Sequence, residues 1–219
     1  MKTKTTLQEK ESYIFGSLYR LSEDEWKKLQ VFVAEYDYSE HKHRGQTNLK
    51  VMKEQNAVGK IAEFVTYHKL KPFMKHMPEP DLQIYDAKHK SFDPDLPYIT
   101  RHGRELKISV KGQATYMHMR YGYPISWLFN KGNIDKGGGR DQVLHSNHQG
   151  LVVFVLVDYE DRSGRISAIV PVRLLHELDL WRPPDKEKLR KSKQTIHLSD
   201  LREHGLAGRL HVRQEQLVK

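Results

Sequence analysis

The chain has 219 residues, 37% hydrophobic and 30% charged, with a formal net charge of +9 and a pI of about 9.5. This is enough apolar material for one substantial domain with appendages, which excludes a wholly disordered chain, and the basic balance favours a polyanionic partner, usually nucleic acid. Cysteine is absent, which excludes disulfides, thiolate zinc sites and thiol catalysis.

The N-terminal stretch MKTKTTLQEKESY lacks the apolar segment of a signal peptide. No apolar run approaches the roughly 20 residues of a spanning helix, so no membrane attachment and a cytoplasmic location are expected. Ser22 and Glu25 form a capping-box pattern ahead of Trp26, Leu29 and Val33, which predicts a helix. SEHKHRGQTN follows as a basic loop. A second helix is predicted over about residues 50–70, with Val58, Ile61, Ala62 and Val65 on its core face and Gly59, Glu63 and Tyr67 on an adjacent stripe. Pro72 ends it.

Residues 80–87 (PDLQIYDA), DLPYI and ELKISVKGQ read as three strands, the last two joined by a hairpin turn at Gly103. YPISWLFN suits either helix or strand, and residues 131–142, with three consecutive glycines, form a loop. GLVVFVLVDYED is the strongest strand, and its unbroken apolar run implies burial on both faces. GRISAIVPV is a further strand and VRLLHELDLW a short helix. Residues 182–194 read as a basic linker, and a last helix begins near Ser199. The expected organisation is an N-terminal helical and basic extension (1–50), a core (51–181) and a basic, helical tail (182–219). No internal repeat is evident.

A lysine inside a strand needs a reason. Lys111 lies between Val110 and Gly112, and Asp95 opens the strand just before it. Two paired strands bring these side chains to one sheet edge. A carboxylate there can hold a hard cation such as Mg²⁺ through oxygen. Lys111 points the same way as Ser109 and can serve a water attacking a phosphodiester, while the metal polarises the phosphate.

These residues resemble the PD-(D/E)xK nuclease superfamily, which includes many restriction endonucleases. The match consists of Pro94-Asp95, then Ser109-Val110-Lys111, with Gln113 two beyond the lysine, Glu63 on the preceding helix and GLVVFVLVDYE as the later buried strand; it spans about residues 51–180. The resemblance implies an α/β (α+β) fold with an αβββαβ core, a mixed central sheet flanked by helices, and terminal helical additions. It implies Mg²⁺-dependent cleavage of double-stranded DNA, with Mn²⁺ able to substitute. Asp95, Glu63 and the Val110 carbonyl would hold the metal, Lys111 would serve the water, and Gln113 would orient water or lysine. A homodimer would suit duplex cleavage by symmetry.

Ser109 departs from the family pattern, which has Asp or Glu at that position. Glu63 in the first place, because a helix packed on the sheet is a firmer platform than a glycine-rich loop, and after it Asp135 or Asp141, would then supply the missing charge; otherwise the protein binds DNA, or RNA, without cutting it. Asp81 or Asp86 is an alternative to Asp95 as the metal ligand. Arg140, Lys131 and Lys136 in the glycine-rich loop and Arg120 in YMHMRYGY are candidate DNA contacts, as is KEKLRKSK for phosphates. Among the 13 histidines, His145 and His148 have a spacing that can share a helix face and bind metal, although a basic surface explains them as well.

Overall fold

The computed structural model describes residues 6–36, 38, 48–74, 76–84, 95–99, 105–132, 140–145 and 149–210. Two helices open the chain, α1 (Leu7–Phe15) and α2 (Glu23–Glu35), separated by the short strand β1 (Tyr19–Arg20). Each helix starts with a complete capping box: Thr6 with Glu9, and Ser22 with Glu25. The Ser22 box is the expected one. The Thr6 box, within a stretch read above only for its lack of a signal peptide, starts a helix that seats Ile14 in the core.

Helix α3 (Leu49–Leu70) is the long central helix. Val58, Ile61, Ala62 and Val65 are buried, as their spacing requires. Glu63, on the stripe adjacent to that core face, is buried too, at 8% exposure. Leu82 to Ile84 carry no strand, contrary to the reading of 80–87; residues 85–87 lie outside the described chain. The strand reading rested on a short alternating run that finds no pairing partner among the described residues.

Strands β2 (Leu96–Ile99) and β3 (Glu105–Ala114) pair antiparallel, with Leu96 opposite Ile108 and Ile99 opposite Glu105. Thr115–Tyr121 forms α4, and β4 (Ser126–Asn130) follows. Strands β5 (Gly150–Asp158) and β6 (Ser163–Pro171) lead to the short helix α5 (Val172–Glu177). Strand β7 (Lys193–His197) and helix α6 (Leu198–Glu203) complete the order.

The main sheet is five-stranded and mixed, in the order β1-β6-β5-β3-β2, with β3 and β5 parallel. A second sheet pairs β4 with β7, antiparallel. The sequence reading ended a linker at residue 194 and began the last helix near Ser199, with no strand between them. Its Thr195 and Ile196 are buried, and Arg182 bridges to Thr195 through the backbone, so this segment is built into the fold. The result is a mixed α/β architecture with a curled sheet flanked by helices. It contains two described strands, not three, between α3 and α4.

Strand β5 separates two cores. Leu151, Val153, Val155 and Val157 face α1, α2 and α3. Val152, Phe154 and Leu156 face the opposite layer, where Trp127, Phe129, Val172, Leu175, Ile196 and Leu201 pack. The unbroken apolar run is thus buried on both faces, as expected for a central strand. No described helix is long and apolar enough to cross a membrane.

Candidate active site

Strand β2 is only four residues long, so beyond Ile108 the outer edge of β3 has no strand partner among the described residues. Asp95, the residue before β2, fills that gap. Its Oδ2 accepts the Val110 backbone N–H at 2.6 Å, replacing the missing ladder bond. A strand residue's N–H and C=O leave toward the same edge, so the Val110 carbonyl emerges on the Asp95 side.

Side chains alternate along β3. Ile108, Val110 and Ala114 join the core beneath α3. Gly112 shares their face, and a Cβ there would lie 2.9 Å from the Val58 carbonyl oxygen and 3.0 Å from the Ala62 Cβ. Helix α3 therefore rests directly on the strand backbone, which brings Glu63, next to Ala62, toward the Asp95 edge. Ser109, Lys111 and Gln113 take the opposite face. The Lys111 Nζ lies 5.1 Å from the Phe129 ring centroid, over the second core.

Two ion pairs flank Asp95. On the α3 side, Lys60 Nζ is 2.8 Å from Glu63 Oε2, one helical turn away. On the other side, Lys111 Nζ donates to both Asp141 oxygens, at 2.9 and 3.1 Å. Asp141 is fixed by the end of β4: its N–H donates to the Asn130 carbonyl, and its Oδ2 accepts the Asn130 N–H.

The charges are coupled. Burial pushes the Glu63 carboxyl up to about 8; Lys60 opposes this, and the negative charges of Asp95 and Asp81 add to it. Asp95 keeps residue surface open to solvent, yet protein surrounds its carboxyl group. That desolvation raises its pKa, against the pull of Lys111, the Val110 N–H and Lys60, while Asp141 reinforces it. The Asp95 charge thus adds to the rise at Glu63 and the Asp141 charge to the rise at Asp95, a local excess of negative charge that a cation would relieve.

Asp95 and Val110 thus meet at one sheet edge, Lys111 beside them pairs with Asp141, and Glu63, on the α3 side, feels the Asp95 charge. Ser109 is 8% exposed, on the Lys111 face. Gln113 is half-buried, and its Nε2 donates to the Ala114 carbonyl at 3.3 Å. Asp81 is exposed before the strands and acts on Glu63 only through charge. Asp86, Asp135, Lys136, His148 and Pro94 lie outside the described residues. Lys131 is exposed and donates to the Arg190 carbonyl; Arg140 is exposed and donates to the Leu144 carbonyl. Arg120 is exposed on α4. Sequence reasoning missed Lys60, although an i,i+3 lysine–glutamate spacing on a predicted helix is a usable signal.

The donor set around Asp95 is all oxygen, which suits a hard cation. Among the described residues, no group of three or more His, Asp or Glu side chains is arranged to hold a metal ion. No family model, curated protein or solved structure matches the chain.

Proposed function

We infer that the protein is a divalent-metal-dependent endonuclease acting on double-stranded DNA. The observation that carries this reading is the Asp95–Val110 hydrogen bond, which sets a carboxylate beside the strand residue preceding Lys111. Asp95, the Val110 carbonyl and Glu63 would hold the metal, Mg²⁺ or Mn²⁺. When bound, the metal polarises the scissile phosphate and acidifies a coordinated water. Lys111 holds the attacking water and offsets the charge that builds on the phosphate. Asp141 holds Lys111 in place and supplies the negative charge that Ser109 does not. Gln113 orients the lysine or the water. The basic surface carries affinity for the DNA backbone.

Incubation of supercoiled plasmid with the protein in Mg²⁺, in Mn²⁺ and in EDTA tests the reading. Nicked or linear DNA with either metal and none in EDTA is expected. Intact plasmid at stoichiometric protein in both metals overturns it. A second reading, DNA binding without cleavage, draws on Ser109 and on Asp141, which engages Lys111 through both carboxylate oxygens. Retarded but uncut DNA would favour it.

A further inference from the structure

The exposed surface of α4 presents aromatic and basic side chains that neither core absorbs. Met119 is 72% exposed, Tyr121 52% and Tyr123 42%. The two tyrosine rings lie 5.9 Å apart at an interplanar angle of 35°. The Arg120 guanidinium sits 5.5 Å from the Tyr121 centroid, and the Lys186 ammonium 4.6 Å from that of Tyr123. Tyr116, by contrast, is half-buried and its hydroxyl is hydrogen-bonded to Glu54, so it belongs to the packing.

Local structure holds the two rings in place. Helix α4 stops at Gly122, in the left-handed region at φ 65°, and the Gly122 N–H closes on the His118 carbonyl. The His118 ring Nδ1 lies 2.8 Å from the Tyr123 carbonyl oxygen, which pins the residue after the turn. A large aromatic surface kept in water by a rigid turn, with a cation against each ring, is costly for a surface that binds nothing.

We propose that Tyr121 and Tyr123, with Arg120 and Lys186, form a stacking platform for unpaired nucleotides. Bases stack on the open ring faces, and the cations on the rings meet the flanking phosphates. The net charge of +9 supplies the long-range complementarity. Strand β3 runs straight into α4, so Tyr121 lies at most about 22 Å along the chain from Lys111, at about 3.3 Å per strand residue and 1.5 Å per helix residue. The proposal rests on nucleic acid as the partner but not on cleavage.

The test is fluorescence anisotropy in EDTA with three probes of equal length: oligo-dT, an abasic strand and a closed duplex. The wild-type protein should bind oligo-dT at least about fivefold more tightly than the abasic strand, because each stacked base contributes on that scale. Tyr121→Ala and Tyr123→Ala should each lose at least about fivefold on oligo-dT, with little change on the abasic strand and the duplex. Tyr123→Trp should bind oligo-dT at least as tightly as the wild type and shows that the site tolerates any large ring. Equal affinity for oligo-dT and the abasic strand, an unaltered Tyr121→Ala/Tyr123→Ala double variant, or equal losses on all three probes each overturns the platform. Because metal is absent, a plasmid that stays uncut in Mg²⁺ bears on the nuclease reading alone.

Discussion

The Lys111 ammonium donates to both carboxylate oxygens of Asp141, at 2.9 and 3.1 Å, from opposite ends of the segment that contains α4 and β4. Both side chains are about one-fifth exposed. A strand lysine over an aromatic core is stable only with such a partner. Asp141→Ala should leave Lys111 and the Asn130 N–H without their acceptor. The expected loss is about 1–3 kcal/mol of folding stability, measured by urea unfolding. Lys111→Met also leaves the Asp141 carboxylate without its cation, but it should cost less than Asp141→Ala because Asp141 keeps the Asn130 N–H.

Asp95→Asn and Lys111→Ala should each lower plasmid cleavage by at least about a hundredfold while leaving DNA affinity in EDTA nearly unchanged. The two side chains serve the reaction, whereas affinity comes from the basic surface. Full activity in either folded variant would remove both from the site.

Glu63 makes folding stability depend on pH. Its carboxyl is pushed from the ordinary 4.5 up to about 8, so between those values the folded protein holds a proton that the unfolded chain has lost. Stability from this group is therefore fully present below about pH 4.5 and falls as pH rises toward 8, with a slope of up to about 1.4 kcal/mol per pH unit. Glu63→Gln should flatten that slope. Urea midpoints at pH 5, 6, 7 and 8 for both proteins would show it; parallel curves would mean that Glu63 ionises normally.

Gly112→Ala places a methyl group 2.9 Å from the Val58 carbonyl oxygen, so α3 must move away from β3. The expected destabilisation is about 1–3 kcal/mol. Since Glu63 rides on α3, cleavage should fall by more than the loss of folded protein explains. A variant as stable and as active as the wild type would show that the helix yields freely.

DNA affinity should fall by about a thousandfold between 50 and 200 mM salt if some six phosphates are contacted. A flat response in a filter-binding or anisotropy series would rule out a phosphate-dominated interface.

Much of the site was legible because it depends on short-range patterns. The hairpin of β2 and β3 brings Asp95 beside Val110 and Lys111, and strand alternation puts Ser109 and Lys111 on one face. The helical spacing of Val58, Ile61, Ala62 and Val65 marked the core face of α3 correctly. It said nothing about Glu63, whose burial follows from the close approach at Gly112, a tertiary contact. Asp141 was one of three candidate acids, and only the clamp between Asn130 and Asp141 brings it to Lys111. Strand β7 was hidden because KQTIH is short and mostly polar, and its pairing with β4 joins distant parts of the chain. Residues 80–84 failed in the opposite sense, since alternation without a pairing partner among the described residues leaves a strand signal and no strand.

Strand β5 is covered on both edges, by β3 and β6, and on both faces. Until those neighbours arrive, GLVVFVLVD is a nine-residue run with a single charge, at its end. Its parallel partner β3 lies far back in the chain, with Lys107 opposite Gly150, so the pairing forms only after a long loop has closed. During refolding this segment is the place where two chains would associate with each other instead of folding singly. The yield of native protein should therefore fall as protein concentration rises, and dilution should restore it.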